Sequence, residues 1–168
     1  MHSDTVLDIA FSPEGDQLAT CAADKLIRVF DLTSGMQRLS LEGHTHHVLS
    51  VAWQDNGRVL ASASADGTIK IWDNITGEQQ RTVSGFGKEI TSVAFVGQTS
   101  QLLATCADNT LRLVEANDGK TVRTFAGSQS ALYALCITAD GKHVVAGGQD
   151  GKLFIWTIDK AAVVKQLD

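Results

Sequence analysis

Proline, cationic clusters and long apolar runs are all scarce in this sequence, and each scarcity excludes a class of protein. One proline and 15 glycines among 168 residues, 43% of them hydrophobic, exclude a collagen-like or disordered chain and suffice for a domain with a packed core. Lysine and arginine total 14 against 19 acidic residues, and no cationic cluster exceeds two residues, so we expect no nucleic-acid partner. No run of about 18 apolar residues exists, and we therefore expect no membrane association.

Cysteine is sparse as well, and its spacing indicates neither a zinc site nor a redox pair. Cys21, Cys106 and Cys136 form no Cys-x-x-Cys pair of the zinc or redox kind. Cys21 and Cys106 each follow an Ala-Thr pair at matching places, which predicts small, buried strand residues. The first residues begin no apolar stretch of the signal-peptide type. We therefore expect a cytoplasmic protein without a cofactor.

A period of 42 residues runs through the whole chain. One aspartate recurs with this period, as Asp24, Asp66, Asp108 and Asp150. A second series, aromatic in three of its four members, comprises Phe30, Trp72, Val114 and Trp156. Four periods account for all 168 residues and define repeats at 1–42, 43–84, 85–126 and 127–168. Such a period is typical of solenoids and propellers.

The pattern inside one repeat predicts four short strands and no helix. Val51 and Trp53 alternate with small or polar residues, as in a strand with one buried face. Val48 lies an odd number of positions earlier, which predicts a β-bulge between it and Val51. Turn residues separate the strands, and Ile69 and Ile71 share one face of the third. In repeat three we expect the first turn to be one residue longer and the turn at Asp108 one residue shorter.

Several short motifs, set within the in-phase copies of the 42-residue period, together resemble the WD-repeat family. They are Gly43-His44, Trp72-Asp73, Ser12-Pro13-Glu14-Gly15 and Asp66-Gly67. The resemblance covers the entire chain. It implies an all-β fold, a β-propeller with four-stranded antiparallel blades, four of them in this chain. It also implies a non-catalytic scaffold that binds a protein or peptide partner.

The resemblance further implies a hydrogen-bond network that fixes each blade. Repeat two alone has all four family residues, His44, Ser62, Asp66 and Trp72. A neutral imidazole has one donor and one acceptor, so it can link a carboxylate to a hydroxyl. Repeat one has Phe30 in place of the tryptophan, and repeats three and four lack the histidine, so we expect weaker networks there.

The same residue types could suggest catalysis or metal binding. His44, Asp66 and Ser62 are the ingredients of a nucleophilic triad, but Ser62 lies within a predicted strand and not on a sharp nucleophile turn. His44 and His46 could share a strand face, but the spacing suggests no third metal ligand. We expect neither an enzyme nor a metal site. A channel enzyme would need a long loop that this sequence does not have.

The family usually binds partners on one rim of the disc, at the start of each first strand and before the turn aspartate. The residues that match those positions are Thr5, Leu7, Ala23, His47, Leu49, Ala65, Glu89, Thr91, Ala107, Ala131, Tyr133 and Gln149. Leu7, Leu49 and Tyr133 would be exposed apolar groups on this rim. The set contains no arginine or lysine, which disfavours phosphopeptide binding at the rim.

The number of repeats raises the question of ring closure, because WD propellers usually have seven or eight blades. Four blades would leave apolar faces open, which we expect at Val6, Ile9, Ile27 and Val29 at one end and at Leu135, Ile137, Leu153 and Ile155 at the other. We expect a homodimer through blades one and four that completes an eight-bladed ring. The alternatives are a blade set from a longer WD-repeat protein, without its own ligand, and a compact four-bladed monomer.

Overall fold

The structure is a computed structural model that describes residues 1–168. All of its regular elements are β-strands, sixteen in number. Their bounds are β1 Val6–Phe11, β2 Gln17–Ala22, β3 Ile27–Asp31, β4 Gln37–Leu41, β5 Val48–Trp53, β6 Val59–Ser64, β7 Ile69–Asp73, β8 Gln79–Val83, β9 Ile90–Phe95, β10 Gln101–Cys106, β11 Leu111–Glu115, β12 Thr121–Phe125, β13 Leu132–Ile137, β14 His143–Gly148, β15 Leu153–Thr157 and β16 Val163–Leu167. The chain contains no helix that could span a membrane.

The strands form four separate four-stranded sheets, each a meander of consecutive antiparallel strands. The sequence prediction of an all-β chain with four propeller blades is confirmed. We number the sheets as blades one to four in chain order. Antiparallel neighbours need only short turns, which is why 42 residues hold four strands.

A β-bulge interrupts the first strand pair of every blade, as predicted. In blade two the register passes from Val48 opposite Ser64 to Ser50 opposite Ala63, which leaves Leu49 unpaired. The same shift occurs in the other three blades. The bulge lets Val48 and Val51 face the same core despite their odd spacing.

The expected irregularity of repeat three is wrong. Its strands begin at Ile90, Gln101 and Leu111, each 42 residues after its counterpart in blade two. Both turns therefore have the usual length. Asn109 takes the place of Gly67 in the aspartate turn, with φ angles of 72° and 76°. Asparagine tolerates this left-handed conformation better than most residues do, so the turn is conserved in shape.

Three apolar cores hold the blades together, one at each junction between consecutive blades. The first core joins one face of blade one, with Ile27 and Val29, to blade two, with Val51 and Trp72. The second core joins blades two and three, and the third joins blades three and four. No core joins blade four back to blade one, so the four blades form an open arc.

The two end blades therefore each have an uncovered face, although not all of the expected residues lie on it. Ile27 and Val29 are fully buried against blade two, and Leu135 and Ile137 pack toward blade three. Those four assignments are wrong, because a blade buries both of its faces and alternation alone does not say which neighbour each face meets.

We call the uncovered surface of Val6, Ile9 and Phe11 the open face of blade one. These side chains are 48%, 57% and 64% exposed, whereas their counterparts in blade two are buried. The open face of blade four contains Cys136, Val145, Leu153, Ile155 and Leu167. The blade-one counterparts of Leu153 and Leu167, which are Ile27 and Leu41, are buried at the first junction.

Candidate functional site

Blade two contains a continuous chain of side-chain hydrogen bonds from the turn aspartate to the third strand. His44 Nδ1 lies 2.8 Å from Asp66 Oδ2, and His44 Nε2 lies 2.8 Å from Ser62 Oγ. The indole N–H of Trp72 donates to the same Ser62 oxygen at 2.8 Å. Because Ser62 accepts from the indole, its own proton is free to be donated to His44 Nε2, and the imidazole N–H at Nδ1 then points to Asp66. The structure thus brings the four predicted residues together.

The charges of this network follow from burial and hydrogen bonding. Burial lowers the pKa of His44 more than the neighbouring carboxylate of Asp66 raises it, so the imidazole is neutral at pH 7. Burial would raise the pKa of Asp66, but hydrogen bonds from Thr68, the Thr45 N–H and His44 outweigh it and lower the pKa to about 2. Neutral His44 is therefore the hydrogen-bond donor, and ionised Asp66 is the acceptor.

Blade one keeps the histidine and the aspartate of the network, lacks the tryptophan and adds an arginine. His2 Nδ1 lies 3.0 Å from Asp24, and His2 Nε2 lies 2.7 Å from Thr20 Oγ1. Phe30 has no N–H to donate, but Arg28 donates to Asp24 at 2.9 Å and also contacts His2. Burial opposes ionisation of Asp24, yet hydrogen bonds from the Ser3 N–H, His2 and Arg28 hold its pKa well below the usual range.

Blade three replaces the histidine with a different pair of residues. Phe86 occupies the histidine position, and the Arg112 guanidinium lies over its ring, 4.7 Å from the centroid. Arg112 also donates to Asp108 at 2.6 Å and to the Gly85 carbonyl at 2.8 Å. Arg112 thus supplies Asp108 with a donor in place of the histidine, but it does not link Asp108 to Thr105 as His44 links Asp66 to Ser62. The weaker network expected in this blade stays a prediction.

Blade four has no network. Ser128 bonds locally to the Ser130 carbonyl, and Ala146 has no hydroxyl. The Trp156 indole N–H donates instead to the Ala126 carbonyl at 2.8 Å. The carboxylate of Asp150 accepts only the Lys152 N–H of its own turn.

Polar side chains also tie neighbouring blades together near the first strands. Asp8 accepts from the Ser50 hydroxyl at 2.9 Å and from the Val51 N–H at 3.0 Å. The Trp53 indole N–H donates to the Ala10 carbonyl of the preceding blade at 3.0 Å. These bonds fix the angle between consecutive blades in addition to the apolar cores.

The predicted rim residues lie together at one end of the first strands. Their backbones are fixed, because the carbonyls of Thr5, His47, Glu89 and Ala131 accept from the residues before the turn aspartates. The side chains of Thr5, Leu7, His47, Glu89, Tyr133 and Gln149 are exposed, and those of Leu49 and Thr91 are half-buried.

Thr91 differs from the other rim residues. Its hydroxyl donates to the Leu132 carbonyl of blade four at 2.6 Å and lies 2.9 Å from Thr105 Oγ1. Thr91 therefore joins two blades, and its hydroxyl is already engaged within the protein. Leu7, Leu49, Thr91 and Tyr133 are the unpaired residues of the four bulges.

Access decides against chemistry at the network residues. Ser62 is fully buried, and its hydroxyl is engaged by both Trp72 and His44. A nucleophile must reach its substrate, which this hydroxyl cannot do. His46 and His47 stack with their ring centroids 4.4 Å apart on the surface, and no cluster of three potential ligands includes them. Cys21 and Cys106 are buried, as predicted, and burial raises the pKa of both thiols.

The fold and the network together define a set of β-propeller blades held by a His–Asp–Ser–Trp hydrogen-bond chain. The model of the WD domain, G-beta repeat, matches residues 1–31, 35–73, 77–115 and 119–157. The chain therefore belongs to the WD40 repeat family, and the resemblance inferred from the sequence is confirmed.

Among solved structures, the chain is similar to one titled "Structure of U3-55K". The two share 25% sequence identity with a TM-score of 0.89, over 99% of this chain and 52% of that chain. The chain thus spans about half the length of this relative. A comparison with curated proteins finds no match.

Proposed function

We propose that this chain is a non-catalytic interaction scaffold that forms half of a WD40 ring and pairs with a second copy of itself. The observation that carries the proposal is the pair of open faces at the two ends of the arc. Exposed groups such as Ile9 and Phe11 are unfavourable in water, and burying each would contribute about 1 to 2 kcal/mol.

At every junction inside the chain, the leading face of one blade packs against the trailing face of the next, and the two open faces are one of each. Ile9 is equivalent to Val51, and Leu153 is equivalent to Ile27. Val51 and Ile27 pack in the same core, at the first junction. This equivalence supports a junction between the open face of blade four and the open face of blade one. In a dimer with two-fold symmetry this junction forms twice and leaves no open face.

The likeness to a solved structure supports a blade arrangement that belongs to a longer WD-repeat assembly. The four blades superpose on about half of a longer WD-repeat chain with a TM-score of 0.89. A second candidate follows from the same observation: the chain could act as one blade set of a longer polypeptide whose other blades cover the open faces. The two candidates differ in what covers those faces, which the following experiment addresses.

Two variants with opposite charges test which surfaces meet. Ile9→Lys on one chain and Leu153→Glu on another should each give monomers, because each places a charge in both junctions. A mixture of the two should recover dimers, since one junction then contains the Lys–Glu pair and the other is unaltered. Ile75→Glu is the control, because Ile75 is 61% exposed but lies on neither open face. Recovery of no dimer from the mixture would contradict the proposed pairing.

We propose that the ring binds its protein or peptide partner at the rim. Leu7 is 41% and Tyr133 is 51% exposed, and ring closure would place Tyr133 beside Leu7 of the second copy. Such exposed apolar groups in a polar surround support a binding surface. Leu7→Ser with Tyr133→Ser should leave the denaturation midpoint nearly unchanged while removing capture of a native partner. A lowered midpoint would assign both residues to the core.

The unpaired cysteines support a reducing compartment, and we propose that the protein is located in the cytoplasm. Cys21, Cys106 and Cys136 lie in three different blades and form no disulfide within the chain, which fits a reducing compartment. Denaturing extraction in the presence of an alkylating agent should recover Cys136 as the alkylated free thiol. Recovery as a disulfide would contradict this location.

A further inference from the structure

We propose that the cleft between blades three and four binds a phosphate ester carried by a protein partner. The cleft has a volume of about 510 Å³. Its walls include the turn after β13 and the turn after β15, so it opens on the side of the disc opposite to the rim. It lies within one chain and does not depend on ring closure.

The charges of the cleft are unbalanced. Arg123, Lys142 and Lys160 line it together with His143. None of these four side chains has a carboxylate within 4.0 Å, although the chain as a whole has a net charge of −5. Asp159 is the one acidic residue of the lining and pairs with none of them. The Asp140 carboxylate accepts from the Lys142 N–H and offsets part of the charge of Lys142 and His143. Three cations around one cleft, none of them in an ion pair, still favour an anionic ligand.

The equivalent grooves at the other two junctions serve as internal comparisons. The groove between blades two and three has a volume of about 110 Å³ and contains Arg81 as its only cation. The groove between blades one and two contains Glu14 and Asp16, and its only cation is Arg58. The cationic character is therefore particular to the third junction and does not follow from the repeat itself.

A substitution within the repeat explains part of this difference. Asp73 in blade two accepts from Arg58 at 3.1 Å and so neutralises it. The counterparts of these two residues in blade four are Thr157 and Lys142. A threonine cannot neutralise the lysine. The Thr157 hydroxyl is buried without a hydrogen-bond partner, but so is the Asn74 side-chain oxygen in the groove between blades one and two, so the unbalanced charge alone distinguishes the third junction.

The chemistry of the donors favours phosphate over a carboxylate. Arg123 uses Nη1 to donate to the Ile158 carbonyl at 2.8 Å, which orients the guanidinium and leaves its Nε and Nη2 protons for a second acceptor. A phosphate monoester carries about 1.5 to 2 negative charges and three acceptor oxygens, so it can be shared between an arginine and two lysines.

Inorganic phosphate is the first probe. We would titrate it into the ¹⁵N-labelled protein at constant ionic strength and follow the backbone amide shifts of Lys142, His143 and Lys160. Saturable shifts confined to the cleft are expected. The double variant Lys142→Gln, Lys160→Gln should weaken binding at least about tenfold, since it removes two charge-assisted contacts.

The double variant Lys88→Gln, Lys120→Gln is the matched control. It removes the same charge from outside the cleft and should change the phosphate affinity less than about twofold. Thermal denaturation of both variants verifies folding. Absence of saturable shifts, or equal weakening in the two variants, would overturn the proposal.

Peptides then identify the source of the phosphate. A phosphoserine peptide should displace phosphate from the cleft more strongly than the same peptide with glutamate in that position. An oligothymidylate with an equal number of phosphates should displace it less strongly than the phosphopeptide. An oligonucleotide that competes as well as the phosphopeptide would overturn the assignment to a protein partner.

Discussion

Trp72 and Trp156 occupy equivalent positions in blades two and four, but their indole N–H groups have different acceptors. Trp72 donates to the buried Ser62 hydroxyl and Trp156 to the Ala126 carbonyl, both at 2.8 Å. Ala146 stands where blade two has Ser62, so the indole of blade four must find a backbone acceptor. The same ring is therefore part of a side-chain network in one blade and of a local backbone contact in the other.

Replacing each tryptophan with phenylalanine should separate these two roles. Trp72→Phe leaves the Ser62 oxygen buried with one donor fewer, and we expect a loss of about 1 to 3 kcal/mol in the free energy of unfolding. Trp156→Phe frees a carbonyl at an exposed residue, where water can replace the indole, so the loss should be clearly smaller. Denaturant titrations of both variants measure the difference. A larger loss in Trp156→Phe would contradict the assigned roles.

The turn aspartates should differ in the same direction. Asp66 accepts from His44 and Thr68 and from the Thr45 N–H, whereas the carboxylate of Asp150 accepts only from its own turn. Asp66→Ala should therefore cost about 1 to 3 kcal/mol, and Asp150→Ala within about 0.5 kcal/mol. Asp108→Ala should fall between them, because Arg112 and not a buried histidine loses its partner. Equal unfolding midpoints for Asp66→Ala and Asp150→Ala would contradict the importance of the blade-two network.

Acid should destabilise the protein in two steps. Burial lowers the pKa of His44 in the folded state, so below pH ~6.5 the unfolded chain binds a proton that the folded chain does not. Stability therefore falls as the pH drops through this range. The pKa of Asp66 is lowered to about 2 in the folded state, which adds a further loss below pH ~3.8.

A histidine variant isolates the first step. The denaturation midpoint of His44→Gln should change less between pH 7 and pH 5 than that of the unaltered protein, because the titrating group is gone. His46→Gln is the control, since His46 is exposed and takes no part in the blade-two network. An unchanged pH dependence in His44→Gln would show that another group causes the loss.

The strands, the bulges and the blade-two network could be predicted because each depends on residues within one repeat. The period placed His44, Ser62, Asp66 and Trp72 at the family positions, and the odd spacing of Val48 and Val51 required a bulge. Asn109 misled the prediction of turn length, since it takes a left-handed conformation that is more usual for glycine.

The features that could not be predicted depend on contacts between repeats or on substitute partners. The sequence pattern does not show that Arg112 covers Phe86, because an arginine in a strand is usually expected to be exposed to solvent. Nor does it show that Ile27 faces blade two and Leu153 faces solvent, since these residues are equivalent within their repeats. Arg123, Lys142 and Lys160 come from separate strands and turns, and only the packing of blades three and four brings them together.

The mass of the protein in solution tests the central claim most directly. Light scattering after gel filtration at micromolar concentration should give twice the 17.9 kDa mass of one chain, because a second copy covers both open faces. A stable particle with the mass of one chain would contradict the paired ring.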